Sequence, residues 1–158
     1  MIITEFSASL WGYSGQVHRP VFVGAEPTDE WQRLFDVARD AYERITSGMT
    51  PGSTEGDAIR NASVIGDAGF GIYDDLIHGY GTDYGPPLVD RSCTSHWRDG
   101  TAPPPGRTIE RGMTIVVQPN PITLDERMGL QLGALTVVTD GGAESLHTLA
   151  FEPLLSAA

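Results

Sequence analysis

The chain has 158 residues, of which 40% are hydrophobic, and a formal net charge of −11 at pH 7. This length fits one domain with a substantial core, residues 1–158, rather than two large domains. The acidic charge excludes nucleic acid and anionic membrane surfaces as partners, because both are bound through Lys and Arg. No apolar run approaches the ~20 residues that span a bilayer.

Cysteine content and the first residues indicate a cellular compartment. Cys93 is the only cysteine, which excludes an intrachain disulfide and a cysteine-based zinc site. The N-terminal sequence MIITEFSASLWGYSG lacks a basic stretch followed by an apolar one, so it does not resemble a secretion signal. We therefore expect a protein of the reducing cytoplasm.

The first part of the chain predicts a β-hairpin followed by a long helix. A strand-like run over residues 2–6 leads into the turn-like sequence WGYSG, and HRPVFVG predicts a second strand that ends at Gly24. The pattern then becomes helical: Thr28 fits an N-cap, apolar residues recur at helical spacing, and Gly48 ends the helix. We interpret the apolar stripe of this helix as core.

The middle of the chain predicts a second helix, a strand and a proline-rich loop. Thr54 and Asp57 have the spacing of a capping box, with Asp in place of Glu. If residues 73–77 form a strand, Asp74 and Asp75 point to opposite faces, and we therefore expect no paired-carboxylate site there. Three consecutive prolines in RDGTAPPPGRTI exclude a helix or central strand there.

The last part of the chain predicts further strands. MTIVVQPNP and GLQLGALTVVTD have strand-like composition, and the Asp-Gly-Gly sequence at residues 140–142 predicts a turn. The predicted order is β-β-α-α-β-β-β. This order indicates an α+β domain with an antiparallel sheet.

Three segments of the second half resemble consecutive signatures of the pita-bread fold family: IHGYGTDYGPP, IERGMTIVVQPNP and LGALTVVTDGGAESL. That family includes methionine aminopeptidase, Xaa-Pro aminopeptidase, prolidase and creatinase. The N-terminal ITEFSASLWGYSGQVHRPVFVG resembles the hairpin of the same family. The resemblance implies a shortened creatinase/aminopeptidase-like domain, with a curved antiparallel sheet, helices on one face, and no counterpart of the family's first helices and strand.

The resemblance also implies a set of site positions. Family members that use metal bind two divalent ions through two Asp, one His and two Glu. The positions that match these five ligands are Glu5, Gln16, His78, Gln118 and Gly133. The position of the family's second catalytic His, seven residues after the first, is Gly85. One carboxylate remains where the family has four, and amides cannot offset the repulsion between two dications. We therefore expect no metal centre and no other cofactor.

Two hypotheses for function remain open. Glutamine in place of glutamate keeps the shape of the side chain and removes its charge, as a pocket that binds a polar molecule would require. In the first hypothesis the chain is a metal-independent enzyme that cleaves a carbon–nitrogen bond, or does related acid/base chemistry, with His78 and Glu5 as proton-transfer groups. In the second it is a non-catalytic relative that binds a ligand or completes a partner. The structural alternatives are packing for His78 and exposure for Glu5.

Four further residues are expected to contact a small polar substrate: Gln16, His18, Asp83 and Gln118. His18 follows Gln16 by two and so faces the same side of a strand. It either replaces a missing base or, by default, lies at the surface. Asp83, in the loop after His78, would orient a substrate amine or be solvated.

The part of the family's domain that has no counterpart here also implies partners. Without it, a sheet edge should be uncovered, and exposed strand edges are normally paired or covered. We expect a homodimer, or a partner chain that supplies the missing half.

Overall fold

The structure is a computed structural model that describes residues 1–157, and it contains a curled, mainly antiparallel sheet of eight strands with helices packed on one face. The strands within these residues are β1 (Ile2–Leu10), β2 (Tyr13–Val23), β3 (Gly71–Ile72), β4 (Ile77–Tyr80), β5 (Tyr84–Val89), β6 (Thr114–Val117), β7 (Pro121–Ile122), β8 (Gly133–Thr139), β9 (Gly142–Ser145) and β10 (Leu154–Ser156). The helices are α1 (Asp29–Gly48), α2 (Glu55–Asn61), α3 (Val64–Asp67) and α4 (Thr94–Asp99), with a short 3-10 turn at Arg91–Cys93 before α4.

The sheet order brings the two ends of the chain together. Its strands run β1-β2-β8-β6-β4-β5, with β9 beside β8 and the parallel strand β10 beside β2. The short strands β3 and β7 form a separate pair. The predicted α+β class and the curved antiparallel sheet with helices on one face are confirmed.

The N-terminal hairpin is longer and tighter than the sequence predicts. Its strands continue through Leu10 and resume at Tyr13, so the turn consists of Trp11 and Gly12. Both turn residues have positive φ, 52° and 84°. This two-residue turn matches the right-handed twist of paired strands, which is why the hairpin extends beyond the expected WGYSG loop.

The two predicted helices are confirmed. Helix α1 begins after Thr28 and ends at Gly48, although the Thr28 side chain makes no capping hydrogen bond. Helix α2 begins with the predicted capping box: the Asp57 amide donates to Thr54 Oγ1 at 3.2 Å, and the Thr54 amide donates to Asp57 Oδ2 at 2.8 Å. These bonds satisfy two amides that a helix start would otherwise leave free.

The prediction of a strand over residues 73–77 is wrong. Strand β4 begins only at Ile77. The backbone amides of Tyr73 and Asp74 instead donate to the side-chain Oδ1 of Asn120, at 3.1 and 3.3 Å. A side-chain amide therefore takes the place of a neighbouring strand, and the backbone bends here.

The hydrophobic core lies between α1 and the sheet face that it covers. The core residues from α1, β6 and β8 include Leu34, Phe35, Ala38, Ile45, Ile115, Val117, Ala134 and Val138. Among residues 1–157, no helix combines the length and apolarity that crossing a lipid bilayer requires. The polar candidate residues lie on the other face of the sheet.

Candidate functional site

The strand register places the candidate residues on one face of the sheet, opposite the core. Glu5 pairs with His18 across β1 and β2, and His18 pairs with Gly133 of β8. Two residues further along β8, Leu135 pairs with Val116, and Val116 pairs with His78 of β4. Directly paired residues, and residues two apart in a strand, share a face. We call this surface the site face.

Two more candidates join the site face by the same alternation. Gln16 lies two residues before His18 in β2, and Gln118 lies two residues after Val116 at the end of β6. Gln16 and Gln118 are both buried. The hairpin and the strand signatures recognised in the sequence therefore converge on one polar surface.

Glu5 is the exposed member of the site face, and Gln16 binds it directly. The side-chain Nε2 of Gln16 donates to Glu5 Oε1 at 2.5 Å. Glu5 is otherwise open to solvent because β1 is the outermost strand. The one carboxylate kept from the expected set thus stands at the solvent boundary of the site.

His18 is fully buried, so the expectation that it lies at the surface is wrong. In the sheet it pairs with Gly133 of β8 on one side and with Glu5 of β1 on the other. Burial lowers the pKa of His18 below 6.5, and the nearby Glu5 carboxylate opposes this shift. The ring is therefore neutral at neutral pH, with Nδ1 3.5 Å from Oε1 of Gln131.

His78 is also buried, and aromatic rings enclose it. The Tyr84 ring lies 4.5 Å away at a tilt of 35°, and the Tyr80 ring meets it edge-on at 5.5 Å. Burial lowers the pKa of His78. Nδ1 lies 3.3 Å from the carbonyl oxygen of Gly79, and in the tautomer that donates to this oxygen Nε2 is the basic nitrogen.

The side chains of Tyr84 and Asp75 lie next to His78 and extend the site. Tyr84 donates through its hydroxyl to Asp75 Oδ2 at 2.6 Å. Burial and the adjacent Asp75 raise the pKa of Asp74. The Asp75 side chain therefore acts on Asp74, contrary to the expectation that the two point to opposite faces. The cause is the bent backbone before β4.

Gln118 and Gly133 occupy the positions of two expected glutamates. Gln118 donates through Nε2 to the carbonyl oxygen of Asp75 at 3.2 Å. A Cβ atom added at Gly133 would lie 2.5 Å from the carbonyl oxygen of Val117 and 2.8 Å from the Cα of Gln118. The backbone of β8 therefore passes too close to the end of β6 for any side chain at position 133.

Asp83 is not brought to the buried part of the site. It lies in the turn between β4 and β5, exposed, and its carboxylate accepts from the amide of Tyr84 at 2.8 Å. Gly85 stands at the position of the family's second catalytic histidine. A Cβ atom added at Gly85 would have no neighbouring heavy atom within 4 Å. This turn borders an open depression of about 340 Å³ that both residues line.

Sequence reasoning missed four residues of the site and its support: Asp75, Tyr84, Gln131 and Arg19. Arg19 is buried behind the site face, where its guanidinium donates to the carbonyl oxygens of His18, Gly133, Leu149 and Ala150. Tyr84 is three residues after the loop glycine Gly81 and had no motif of its own. Gln131, two residues before Gly133, carried no signal that a single sequence could reveal.

The side chains present do not fit the pair of divalent ions that the resemblance implies. Two close dications need negative oxygen ligands. Glu5 is the only carboxylate at the matching positions, and position 133 has no room for another. Across residues 1–157, no three His, Cys, Asp or Glu side chains are grouped so that they could hold a metal ion.

The fold and the arrangement of the site face define a pita-bread domain in which most of the family's metal ligands have been replaced. The family model of metallopeptidase family M24 matches residues 1–140. The chain therefore belongs to metallopeptidase family M24. A comparison with curated protein sequences gave no match.

Solved structures agree on the fold. The X-Pro aminopeptidase of Thermotoga maritima superposes with a TM-score of 0.78 at 21% identity, over 97% of this chain and 41% of that one. For a dipeptidase of Mycobacterium ulcerans the TM-score is 0.80 at 19% identity, over 99% of this chain and 40% of that one. The methionine aminopeptidase of Rickettsia prowazekii superposes with a TM-score of 0.73 at 21% identity, over 89% of this chain and 61% of that one. The chain thus spans about 40% of the length of the first two relatives.

Proposed function

We propose that the chain is a metal-independent member of this family that binds a small polar molecule on the site face and transfers protons during cleavage of a carbon–nitrogen bond. His78 is the principal proton-transfer group and Glu5 the second. The relatives with solved structures are named as aminopeptidases and dipeptidases, so bonds between an acyl group and an amine are the first substrates to consider.

The observation that carries the proposal is the state of His78. Burial lowers the pKa of His78, which keeps the ring neutral and able to accept a proton at neutral pH. In the tautomer in which Nδ1 donates a hydrogen bond to the Gly79 carbonyl oxygen, Nε2 is the nitrogen that accepts a proton. The rings of Tyr80 and Tyr84 hold the imidazole plane in place.

Glu5 supports the proposal through its position. It is the carboxylate of the site face, lies directly opposite His18, and reaches solvent. A carboxylate at the boundary of a buried polar surface can exchange protons with water and hold a cationic or N–H-bearing substrate. His18, Gln16 and Gln118 then orient the substrate through hydrogen bonds.

A second candidate function is ligand binding without turnover, and one contact favours it. Gln16 already occupies Glu5 Oε1 at 2.5 Å, which reduces the capacity of this carboxylate to act as a base. In this second function, the side-chain amides of Gln16 and Gln118 bind a polar ligand and no reaction follows.

The test is turnover by protein that has been treated with a chelator and dialysed. Xaa-Pro dipeptides, other dipeptides and small amides are incubated with the protein, and amine release is measured. We expect release without added metal, abolished in His78→Asn and retained in the matched variant His96→Asn, which removes a half-buried histidine outside the site.

Three outcomes decide between the readings. Release that requires added Mn²⁺ or Co²⁺ contradicts metal independence. Release that survives His78→Asn contradicts the role of His78. Saturable binding of a tested molecule with no release by the folded wild type supports the receptor function in place of the enzyme.

A further inference from the structure

The tip of the N-terminal hairpin exposes a tryptophan to solvent. Trp11 is 94% exposed, and its neighbours Leu10 and Tyr13 are 72% and 70% exposed. The eleven residues from Ser7 to Val17 carry no charge, although the chain as a whole has a net charge of −11. Single exposed apolar residues are ordinary, whereas an uncharged cluster that includes aromatic rings is typical of an interaction surface.

The backbone holds this tryptophan in a conformation that suits a smaller residue better. Trp11 has a φ of 52°, which lies in the left-handed region that bulky side chains rarely adopt. Asn or Gly would form the same two-residue turn without this strain. The Ser14 amide donates to the carbonyl oxygen of Gly81 at 2.9 Å and so ties the hairpin to the turn between β4 and β5. A strained, rigidly held and exposed side chain indicates a function outside its own copy of the chain.

The edge of β1 determines where a second copy would place this tip. Among residues 1–157, β1 pairs only with β2, so its other edge is open. Two copies of β1 can pair antiparallel along this edge, and the register that pairs all nine residues puts Phe6 opposite Phe6. Ile2 of each copy then lies opposite Leu10 of the other. These three exposed apolar residues therefore cover one another on the face opposite the site face.

The same register brings the tip to a cavity of the second copy. Extended by one residue at each end of β1, it places Trp11 opposite Met1, and it also places Ser9 opposite Ile3. Met1 and Ile3 form one wall of a cavity of about 430 Å³. The other apolar lining residues include Trp31, Tyr73 and Leu130. Cavities of this volume hold small molecules, so an indole ring has room to enter.

The polar residues that line this cavity complement an indole. Arg127 forms no ion pair within residues 1–157, and a guanidinium is attracted to the face of tryptophan more strongly than to that of other rings. Glu126 accepts from Arg91 through Oε1, which leaves its second oxygen for the indole N–H. Trp31 adds an aromatic ring for edge-to-face contact. The cavity thus offers apolar walls, a cation and an acceptor.

We propose that two copies of the chain pair through β1 and that each inserts its Trp11 side chain into the cavity beside Ile3 of the other. The two indoles together contribute roughly 300–500 Å² of buried surface, since one aromatic side chain buries about 150–250 Å². A specific interface begins near 1,200 Å² in total, so the tryptophans supply a substantial part of it and the paired β1 strands add to it. This contact uses no proton-transfer residue and does not rest on the proposed function.

A lipid surface is the other partner that exposed Trp and Tyr side chains fit. Two observations favour a second copy. The cavity and the open strand edge belong to the same chain and come into line in one register, and a net charge of −11 opposes approach to an anionic membrane. Lipid binding is therefore an outcome of the test rather than part of the inference.

The first experiment measures the Kd of the dimer by sedimentation over a range of concentrations. Trp11→Asn creates an Asn-Gly turn, which favours the hairpin, and removes the indole. We expect the Kd to rise at least about a hundredfold, because tryptophan is a typical hot-spot residue and the dimer loses two of them. Leu146→Ala is the matched control: it removes an exposed apolar side chain outside β1 and the cavity, and the Kd should stay within about twofold.

A second pair of variants tests the cavity side of the contact. Arg127→Met removes the cation and keeps a long apolar side chain, and we expect the Kd to rise about tenfold. Arg107→Met makes the same change of charge at an exposed position outside the cavity and should leave the Kd unchanged. Equal effects of the two substitutions would mean that the net charge alone acts, which contradicts insertion of the indole.

The position of the indole is measured directly by ¹⁹F NMR of protein that contains 5-fluorotryptophan. The chain has three tryptophans, and the signal that is missing in Trp11→Asn belongs to Trp11. We expect this signal to lose its shift between H₂O and D₂O as the protein concentration passes the Kd. The signal of Trp97, which lies outside the interface and the cavity, should not change.

Four outcomes would overturn the inference. These are a wild type that stays monomeric at its highest soluble concentration, a Kd that Trp11→Asn leaves unchanged, and a Trp11 signal that remains exposed to solvent in the dimer. The fourth is binding to phosphatidylcholine vesicles by the wild type but not by Trp11→Asn, which would make the tip a lipid anchor. None of these measurements involves turnover, so their failure leaves the proposed function standing, and the reverse also holds.

Discussion

Burial of His18 and His78 makes the stability of the fold depend on pH. Both pKa values lie below 6.5 in the folded protein, chiefly because burial disfavours the charged ring. In the unfolded chain the same rings titrate near 6.5. Below that pH the unfolded state binds protons that the folded state does not, so the free energy of unfolding falls as the pH decreases. Above that pH the contribution of both rings is fully present.

The pH dependence can be measured by urea unfolding between about pH 5.5 and 7.5. We expect the free energy of unfolding to decrease towards the acid end, by up to about 1.4 kcal/mol per pH unit for each ring. His18→Gln should reduce the slope, whereas His96→Gln, outside the site, should retain it. A flat profile for the wild type would show that the two rings titrate in the folded state as they do in the unfolded chain, which contradicts the effect of burial.

The same two histidines show what residue patterns can and cannot predict. His78 lies directly before the glycine-containing sequence GYG, and the other family signatures lie before and after it in the chain. Its burial agrees with a role in the site. His18 had only its alternation with Gln16, and alternation says which face a residue occupies but not whether that face is covered. In the folded chain His18 is buried and pairs with β8, which lies more than a hundred residues away in the sequence.

At the scale of elements, β8 and β6 approach each other closely where they pair at the end of β6. A methyl group at Gly133 would meet the carbonyl oxygen of Val117 at 2.5 Å. Gly133→Ala should therefore force the strands apart, and we expect a loss of about 1–3 kcal/mol in the free energy of unfolding, as overpacking typically costs. Urea unfolding measures this loss.

The matched control is Gly15→Ala in β2, where nothing lies within 4 Å of the added carbon. That variant should be neutral or stabilised by up to about 1 kcal/mol, because alanine loses less conformational freedom on folding. Equal effects at the two positions would contradict the packing argument. If the argument holds, restoring a glutamate at position 133 alone cannot rebuild a metal centre.

The elements that sequence could predict are those with strong local signals. Helix α1 has a long apolar stripe, α2 has a capping box in Thr54 and Asp57, and the turn before β9 has two glycines. The bend at residues 73–76 could not be predicted because Asn120, far along the chain, causes it. The Asn120 side chain accepts from the amide of Tyr73 and donates to the carbonyl oxygen of Asp75. Gln131 joined the site for a similar reason: only the pairing of β8 with β2 places it beside His18.

At the scale of the whole molecule, β1 has one unpaired edge. Among residues 1–157 it pairs only with β2, so its outer amides and carbonyls face solvent. On the face opposite Glu5, Phe6 is 59% exposed and Leu10 is 72% exposed. A long apolar edge strand favours pairing with another strand. The expected homodimer or partner complex therefore stays a prediction, and β1 is the surface to test.

We expect a second copy of the chain to pair with β1. The chain carries a net charge of −11, which makes two copies repel over most of their surfaces. β1 has one charged residue, Glu5, among its nine residues, so antiparallel pairing of two β1 strands brings little charge together. Light scattering after size-exclusion chromatography should give twice the mass of 17.0 kDa.

Phe6→Glu should convert this dimer to a monomer, because two new carboxylates would face each other near the centre of the paired strands. Leu124→Glu is the matched control: Leu124 is 79% exposed, lies outside β1, and receives the same change of charge. A wild-type monomer at the highest soluble concentration would contradict pairing through β1. A dimer that persists in Phe6→Glu and dissociates in Leu124→Glu would move the interface to the loop after β7.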